Sequence, residues 1–161
     1  MTETITAASG LQDFDFFVGD WTVRHRQLRT RLAGDTEWLE FSSRCRMRKI
    51  LGGAGNFDEI SVPSPRGAYN GATLRLYDAE AGTWSIHWLD SRNPVLEAPM
   101  VGRFDQGIGL FHADETFEGR PIKVRFIWTP VSAEACRWEQ AFSPDDGRTW
   151  ETNWIMDFAR A

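Results

Sequence analysis

Two kinds of hydrophobic pattern divide the chain close to residue 20. In the first segment, apolar residues recur at helical spacing, and Ser9 and Gln12 stand three positions apart, as in a capping box at a helix start. The apolar face of this segment consists of Leu11, Phe14, Phe17 and Val18. The pattern predicts one short helix from Ser9 to Val18, which Gly19 ends.

From Trp21 onward, hydrophobic and polar residues alternate with a period of two, which is typical of strands that bury one face. Turn-forming clusters interrupt the alternation about every 8 to 14 residues, so we expect about ten antiparallel strands. These run approximately over Trp21 to Leu32, Trp38 to Leu51, Asn56 to Val62, Ala68 to Asp78, Thr83 to Ser91, Pro99 to Asp105, Leu110 to Phe117, Ile122 to Thr129, Ala135 to Ser143 and Trp150 to Ala159.

The connections between these segments are short, so each strand is expected to pair with the next one in an up-and-down order. An open sheet would expose two edges, which closure into a barrel removes. A barrel of about eight strands is nearly filled by side chains, and a wider one leaves a cavity. The prediction is a single all-β domain over residues 1–161, an antiparallel up-and-down β-barrel whose helix plugs one end and whose residues 1–8 form a flexible tail.

Alternation also predicts which side chains face the lumen. The arginine-rich run of the first two strands is mostly on the opposite, solvent-facing phase, as Arg24, Arg26, Arg44, Arg46 and Arg48 are, and there it need only supply solubility. The alternative is that the run forms an anion-binding patch. The inward rows are Trp21, Val23, His25 and Gln27; Leu39, Phe41, Ser43, Cys45 and Met47; Ile122, Val124, Phe126 and Trp128; and Trp150, Thr152, Trp154, Met156 and Phe158.

Composition adds an aromatic excess, since eight tryptophans and 11 phenylalanines are more than the core of a 161-residue domain requires. Flat apolar side chains in such number indicate a lined cavity. The net charge of −5 argues against a nucleic-acid partner, because affinity for phosphates needs clustered Lys and Arg.

Two features bear on where the protein works. Cys45 and Cys136 are too few for a disulfide framework, and the opening residues resemble no secretion signal. No stretch reaches the roughly 18 apolar residues that span a bilayer, so membrane insertion is not expected. The sequence therefore predicts a cytoplasmic protein with free thiols.

The entry into the first strand, Phe17-Val-Gly-Asp-Trp21, resembles the Gly-x-Trp motif of the calycin superfamily, which includes lipocalins, fatty-acid-binding proteins and nitrobindins. The chain is most similar to a bacterial group of lipocalin-like domains, through Asp13 to Trp21, Trp84 to Arg92 and Trp138 to Trp154. The resemblance implies a ligand-holding β-barrel and no particular reaction. It also implies a structural role for Trp21, whose ring packs under the plug while its N–H bonds a loop carbonyl.

Cofactors are not expected from these residues. Nitrobindin-like barrels hold haem through a His near the C-terminus, whereas Trp150 to Ala161 contains none. No two histidines share a strand face at short spacing and neither cysteine belongs to a Cys-x-x-Cys pair, so a metal site has no support.

A row of residues in the fifth strand forms the main candidate site. Trp88, Asp90 and Arg92 share one phase, so an aromatic row ends in an acid and a guanidinium at the barrel mouth. Arg92 could hold a ligand carboxylate or carbonyl by two hydrogen bonds. The alternative is that Asp90 and Arg92 pair with each other and stabilise the following loop.

Other candidate ligand-binding residues are placed by strand phase. His25 lies on the wall among Trp21 and Val23, either as a buried structural histidine or as a ligand-binding or acid–base group. A carboxylate in an apolar lumen would have a raised pKa and could act as a base. The remaining candidates are Glu59, Glu115, Gln140 and Trp154.

Ser143-Pro-Asp-Asp-Gly-Arg-Thr-Trp150 looks like an Asp box, the hairpin motif of sialidase propellers. In that motif the Asp accepts hydrogen bonds within the turn, so Asp145 is expected to build a hairpin and to do no chemistry.

Three functions remain open at this stage. The first is binding of a small, largely apolar molecule in the lumen, with a homodimer possible. The second is a cofactor-free isomerase, cyclase or hydratase in which His25 or Glu59 moves a proton and Arg92 polarises an oxygen. The third is an accessory protein with a packed scaffold. A filled lumen would favour the third, an empty apolar lumen the first, and an inward group with a perturbed pKa the second.

Overall fold

The computed structural model describes residues 10–161. The expected flexible tail at residues 1–8, and Ser9 at the start of the expected helix, lie outside the described residues. Within them, no helix is long and apolar enough to cross a membrane.

The described chain forms a closed barrel of ten antiparallel strands, which confirms the all-β prediction. Each strand pairs with the next, and β1 pairs with β10 from Trp21–Arg160 to Gln27–Trp154 to close the barrel. The strands are β1 (Gly19–Leu28), β2 (Trp38–Ile50), β3 (Gly55–Val62), β4 (Tyr69–Asp78), β5 (Thr83–Asp90), β6 (Met100–Asp105), β7 (Ile108–Phe117), β8 (Arg120–Ser132), β9 (Ala135–Ser143) and β10 (Glu151–Arg160).

The segment before β1 is the short helical plug that the sequence predicts, in the form of two 3-10 turns at Gly10–Gln12 and Asp15–Phe17. Two rings from it enter the barrel, and both Phe14 and Phe17 are fully buried. A third 3-10 turn, Leu51–Gly53, connects β2 to β3.

Aromatic rings fill the end of the barrel that the plug covers. Phe14 lies 5.1 Å from the Trp84 ring and 4.9 Å from the Phe104 ring, both edge-on. The Trp21 indole stacks on Phe17 and donates its N–H to the Phe17 carbonyl at 2.9 Å. Such edge-to-face and stacked pairs add to the free energy gained from burial, so this end is a packed core.

The inward rows of β1, β2 and β8 follow the expected phase, with alternating burial. The expected row of β10 is wrong at its start, because the register shifts between Thr152 and Trp154. The extra residue, Asn153, is fully buried, and this bulge changes which side chains face in. Trp150 accordingly lies outside, under the guanidinium of Arg125 at 4.4 Å.

The seam between β5 and β6 is short. These strands pair over only three residues, from Trp84–Gly102 to Ile86–Met100. The last part of β5, including Trp88, therefore has no β6 partner, and residues 91–99 cross the mouth of the barrel instead.

Candidate functional site

A cavity of about 240 Å³ lies inside the barrel, between the plug and the open mouth. Its floor consists of Phe17, Cys45, Asp58, Ile60, Thr73, Arg75, Trp128 and Phe158, and its walls consist of Ile86, Trp88, Met100, Phe126, Trp138, Gln140, Trp154 and Met156. Its rim consists of Arg31, Tyr69, Arg92, Glu97, Ala98, Glu115 and Phe142. The middle is therefore mostly aromatic, and the charged groups lie at the two ends.

A buried ion pair forms part of the floor. Arg75 Nη1 donates to Asp58 Oδ2 at 2.6 Å and to Asn56 Oδ1 at 2.9 Å. The side chains of Arg75 and Asp58 are only 3% and 5% exposed. The guanidinium carbon lies 5.1 Å from the Phe14 ring centroid. Burial raises the pKa of Asp58, although Arg75 opposes that shift. The two opposite charges compensate each other, so the pair can form part of the packed end of the barrel, although Arg75 Nε has no hydrogen-bond partner among the described residues.

The assignment of Glu59 to the lumen is wrong. Glu59 is exposed on the outer face of β3, and Asp58 and Ile60 point inward. The phase was misjudged because Asp58 is an acid at a core position, which its partner Arg75 on β4 makes tolerable. Alternation within one strand does not show which residues form pairs with residues of another strand.

The row at the end of β5 lies at the rim. Trp84 and Ile86 are buried, and Trp88 projects into the cavity. Arg92 Nε and Nη2 donate to the two carboxylate oxygens of Asp90 at 2.9 and 2.6 Å, so the fork of the guanidinium is occupied. This geometry supports the loop-stabilising alternative, although Arg92 also lines the cavity.

Two rim residues escaped the sequence analysis. The Arg92 guanidinium carbon lies 3.5 Å from the ring centroid of Tyr69, at the start of β4. Burial raises the pKa of Tyr69. Arg31 lies in the connection between β1 and β2, half-buried, with its guanidinium carbon 5.4 Å from the Phe142 ring centroid. The predicted first strand, Trp21 to Leu32, is too long, since β1 ends at Leu28. The solvent-facing interpretation of the arginine-rich run is therefore wrong for Arg31, which lines the cavity from the loop after β1.

His25 is fully buried and does not line the cavity. The Trp154 indole N–H donates to His25 Nδ1 at 3.2 Å, so Nδ1 carries no proton and the Nε2 hydrogen faces Ser43 Oγ at 2.7 Å. Burial lowers the pKa of His25 to about 4, which keeps the ring neutral. Its role is to orient Trp154, which does line the cavity.

Two more candidates lie on the cavity wall. Gln140 is buried and its Nε2 donates to Asn153 Oδ1 at 2.9 Å, which holds the β10 bulge. Glu115 reaches solvent at the rim, and burial of its carboxyl together with the nearby Glu97 carboxylate raises its pKa.

Metal-ligating side chains do not cluster in the part of the chain that the structure describes, where no group of three His, Cys, Asp or Glu could hold an ion. Cys45 and Cys136 are free and buried, and burial raises the pKa of both thiols, that of Cys136 to about 12. Both side chains act as small apolar groups in the core.

The Asp-box segment is a hairpin turn between β9 and β10. Asp145 Oδ1 accepts the Thr149 N–H at 2.8 Å and Oδ2 accepts the Thr149 hydroxyl at 2.6 Å. Ser143 Oγ also lies 2.8 Å from Asp145 Oδ1. These hydrogen bonds lower the pKa of Asp145 to about 2. The carboxylate is used within the turn and does not line the cavity.

Comparison with known proteins supports the fold alone. No protein-family profile matches the chain. No curated protein matches it either. Among solved structures, the chain is similar to an S-type phycobiliprotein lyase from Guillardia theta, with a TM-score of 0.61 and 12% identity over 96% of this chain and 93% of the lyase. The chain therefore shares its overall fold with that lyase over nearly its whole length.

Proposed function

We propose that this protein binds a small, largely apolar molecule inside the barrel. The observation that carries the proposal is the cavity of about 240 Å³ between the aromatic walls, in a barrel whose other end is tightly packed. Packed interiors leave few voids larger than a water molecule, so open space bounded by Trp88, Trp138 and Trp154 indicates an occupant. An unfilled lumen also argues against a barrel that serves only as a scaffold.

The size of the cavity limits the ligand. The cavity measures about 240 Å³. Binding sites for drug-sized ligands are usually somewhat larger, at about 300 to 1,000 Å³. The ligand is therefore a small molecule, or its polar end projects from the mouth.

The ligand enters beside residues 91–99. The β5–β6 seam ends at Ile86–Met100, so the side of Trp88 toward β6 faces this connection and not a paired strand. Ala98 and Glu97 of the connection line the cavity, whereas Val95 and Leu96 are exposed. Ser91 and Asn93 are held by backbone hydrogen bonds to Asn70 and Asp90, whereas residues 94–99 belong to no strand and open at lower cost than a paired strand does.

Titration with the neutral hydrophobic fluorophore N-phenyl-1-naphthylamine tests the proposal. We expect saturable binding at about one site per chain, with energy transfer from the wall tryptophans. Trp88→Ala should weaken binding about tenfold through lost apolar contact. Trp38→Ala is the matched control, because Trp38 is partly exposed at the start of β2 and does not line the cavity. Absence of saturable binding, or equal losses in the two variants, would exclude the lumen site.

Turnover of the ligand is a second candidate function, which Glu115 favours. Of the acid–base groups expected from the sequence, Glu59 faces outward and His25 is sealed behind Trp154. Glu115 lines the cavity and its raised pKa suits a general base. Deuterium exchange next to the carbonyl of 2-octanone, catalysed by the protein and lost in Glu115→Gln, would support it. Exchange that persists in this variant would exclude Glu115 as the base.

A cytoplasmic location and a homodimer remain predictions. Native mass spectrometry of freshly purified protein gives the mass of the assembly and of any copurified small molecule in one measurement. A dimer mass would support the homodimer, and a monomer mass at micromolar concentration would contradict it.

A further inference from the structure

Arg31 differs from the other guanidinium groups that line the cavity. Arg75 is paired with Asp58 and Arg92 with Asp90, both at 2.6 Å. Arg31 forms no ion pair within 4.0 Å and no hydrogen bond among residues 10–161. A half-buried cation with no anionic partner has lost part of its hydration without compensation.

The surroundings of Arg31 strengthen the positive charge at this side of the rim. Burial is the main cause that lowers its pKa, and the nearby guanidinium groups of Arg66 and Arg92 add to the shift. Tyr69 and Glu151 oppose the shift, but Glu151 Oε1 accepts the Leu32 N–H at 2.7 Å and is held there. An additional anion placed against Arg31 would relieve this repulsion.

The position of Arg31 relates it to the ligand. Its side chain lines the rim next to Phe142, above the aromatic middle formed by Trp88, Phe126 and Trp154. A ligand whose apolar body lies between those rings would therefore carry its polar end past Arg31. Resting on the lumen-binding function proposed above, we infer that the ligand is an amphipathic monoanion whose carboxylate is held by Arg31 at the mouth.

A carboxylate fits this site better than other charged groups. The planar guanidinium fork matches the two oxygens of a carboxylate. Glu97 of the β5–β6 connection and Glu115 of β7 line the same opening. Their carboxylates would repel a doubly charged phosphate. An ammonium head would be attracted by those two carboxylates and repelled by Arg31. An amine ligand therefore tests the alternative that the polar end of the ligand lies at the carboxylates.

Competition against N-phenyl-1-naphthylamine tests the inference with four ligands of equal chain length: octanoate, 1-octanol, octyl phosphate and octylamine. Octanoate should compete about tenfold better than 1-octanol, since a charge-assisted hydrogen bond is stronger than a neutral one. Octyl phosphate should compete less well than octanoate, and octylamine least. An octylamine that competes best would place the polar end at Glu115 and overturn the assignment.

Variants then assign the preference to one residue. Arg31→Gln should abolish the preference for octanoate over 1-octanol, and Arg31→Lys should retain part of it. Each preference is the ratio of the two competition constants measured within the same variant, so a change in fluorophore affinity cancels. Arg29→Gln is the matched control, because it removes a positive charge from the same connection at an exposed site paired with Glu37. A preference that survives in Arg31→Gln, or that falls equally in Arg29→Gln, would refute the role of Arg31. Failure of the fluorophore itself to bind would instead refute the lumen site.

Discussion

The plugged half and the open half of this barrel have the same strands and the same inward alternation, yet only the first is filled. In the plugged half, Phe14 and Phe17 enter from outside the sheet and occupy the space between strand side chains. In the open half no segment of residues 10–161 enters, and rings such as Trp88 and Trp154 bound a cavity of about 240 Å³. The plug, more than the strand pattern, decides where the barrel is solid.

The polar groups of the two halves differ in the same way. At the floor, Asp58 and Arg75 are buried together and their opposite charges compensate each other. At the rim, Arg31 has no ion-pair partner among the described residues, and Glu115 reaches solvent. Closed polar networks belong to the core, and open ones mark the surface that a ligand meets.

The largest expected effect comes from breaking the floor pair. Asp58→Ala leaves Arg75 as an uncompensated buried charge and should lower the free energy of unfolding by about 3 to 5 kcal/mol in urea denaturation. Asp157→Ala, which removes half-exposed ion pairs with Arg137 and Arg26, should cost less than about 1 kcal/mol. The double change Asp58→Leu/Arg75→Met should recover most of the loss. Equal costs for Asp58 and Asp157 would mean that the floor is as well hydrated as the surface.

The next effect concerns the pH dependence of folding stability that results from His25, which lies behind the cavity wall. His25 has a folded pKa of about 4 against an ordinary value of 6.5, so the unfolded chain binds the proton first as the pH falls. The neutral His25 ring contributes fully to the free energy of unfolding above pH 6.5, and this contribution is lost as the pH falls to about 4. At 1.36 kcal/mol for each unit of pKa shift, the loss is about 3 kcal/mol. His25→Asn should remove this part of the dependence. If the free energy of unfolding fell equally in the unaltered protein and in His25→Asn between pH 6.5 and pH 4, the role of His25 in this pH dependence would be contradicted.

A smaller effect is expected from moving one wall ring. A Cβ on Gly71 would lie 2.0 Å from Trp88 Cη2, so Gly71→Ala must displace the indole. We expect N-phenyl-1-naphthylamine affinity to fall about tenfold through lost apolar contact. In a Trp88→Ala background, Gly71→Ala should have no further effect on affinity. Additive losses would show that Gly71 acts on binding by another route.

The smallest effect is expected at the turn beside the rim. Asp145→Asn should slightly lower the melting temperature at pH 7 and leave fluorophore affinity unchanged, because the carboxylate bonds only its own turn. The folded pKa of Asp145 is about 2, so the difference from the unaltered protein should persist above pH 3.8 and narrow below it. Asp146→Asn, at the exposed next position, is the matched control. It removes only a solvent-exposed ion pair with Lys123, which contributes little to stability, and should change neither property measurably. A change in affinity would place the turn in the site.

Much of the barrel could be predicted because alternation is a local property. The rows of β1, β2 and β8 each follow from residues two apart, and short turns imply neighbouring strands. The role of Trp21 under the plug was also predicted, and the indole bonds the Phe17 carbonyl as expected. The bulge at Asn153 could not be predicted, because one extra residue reverses the phase without a distinctive sequence.

The sequence by itself determined that this chain forms an antiparallel barrel with aromatic inner faces, since period and turn chemistry act over a few neighbouring residues. Only the tertiary structure decided which polar residues meet. Asp58 and Arg75 are 17 positions apart, and Trp154 reaches His25 across 129. Arg31 reaches the mouth through a loop. Such groups come together only when ring closure and the plug bring distant strands into contact, because burial and charge compensation are properties of the assembled barrel.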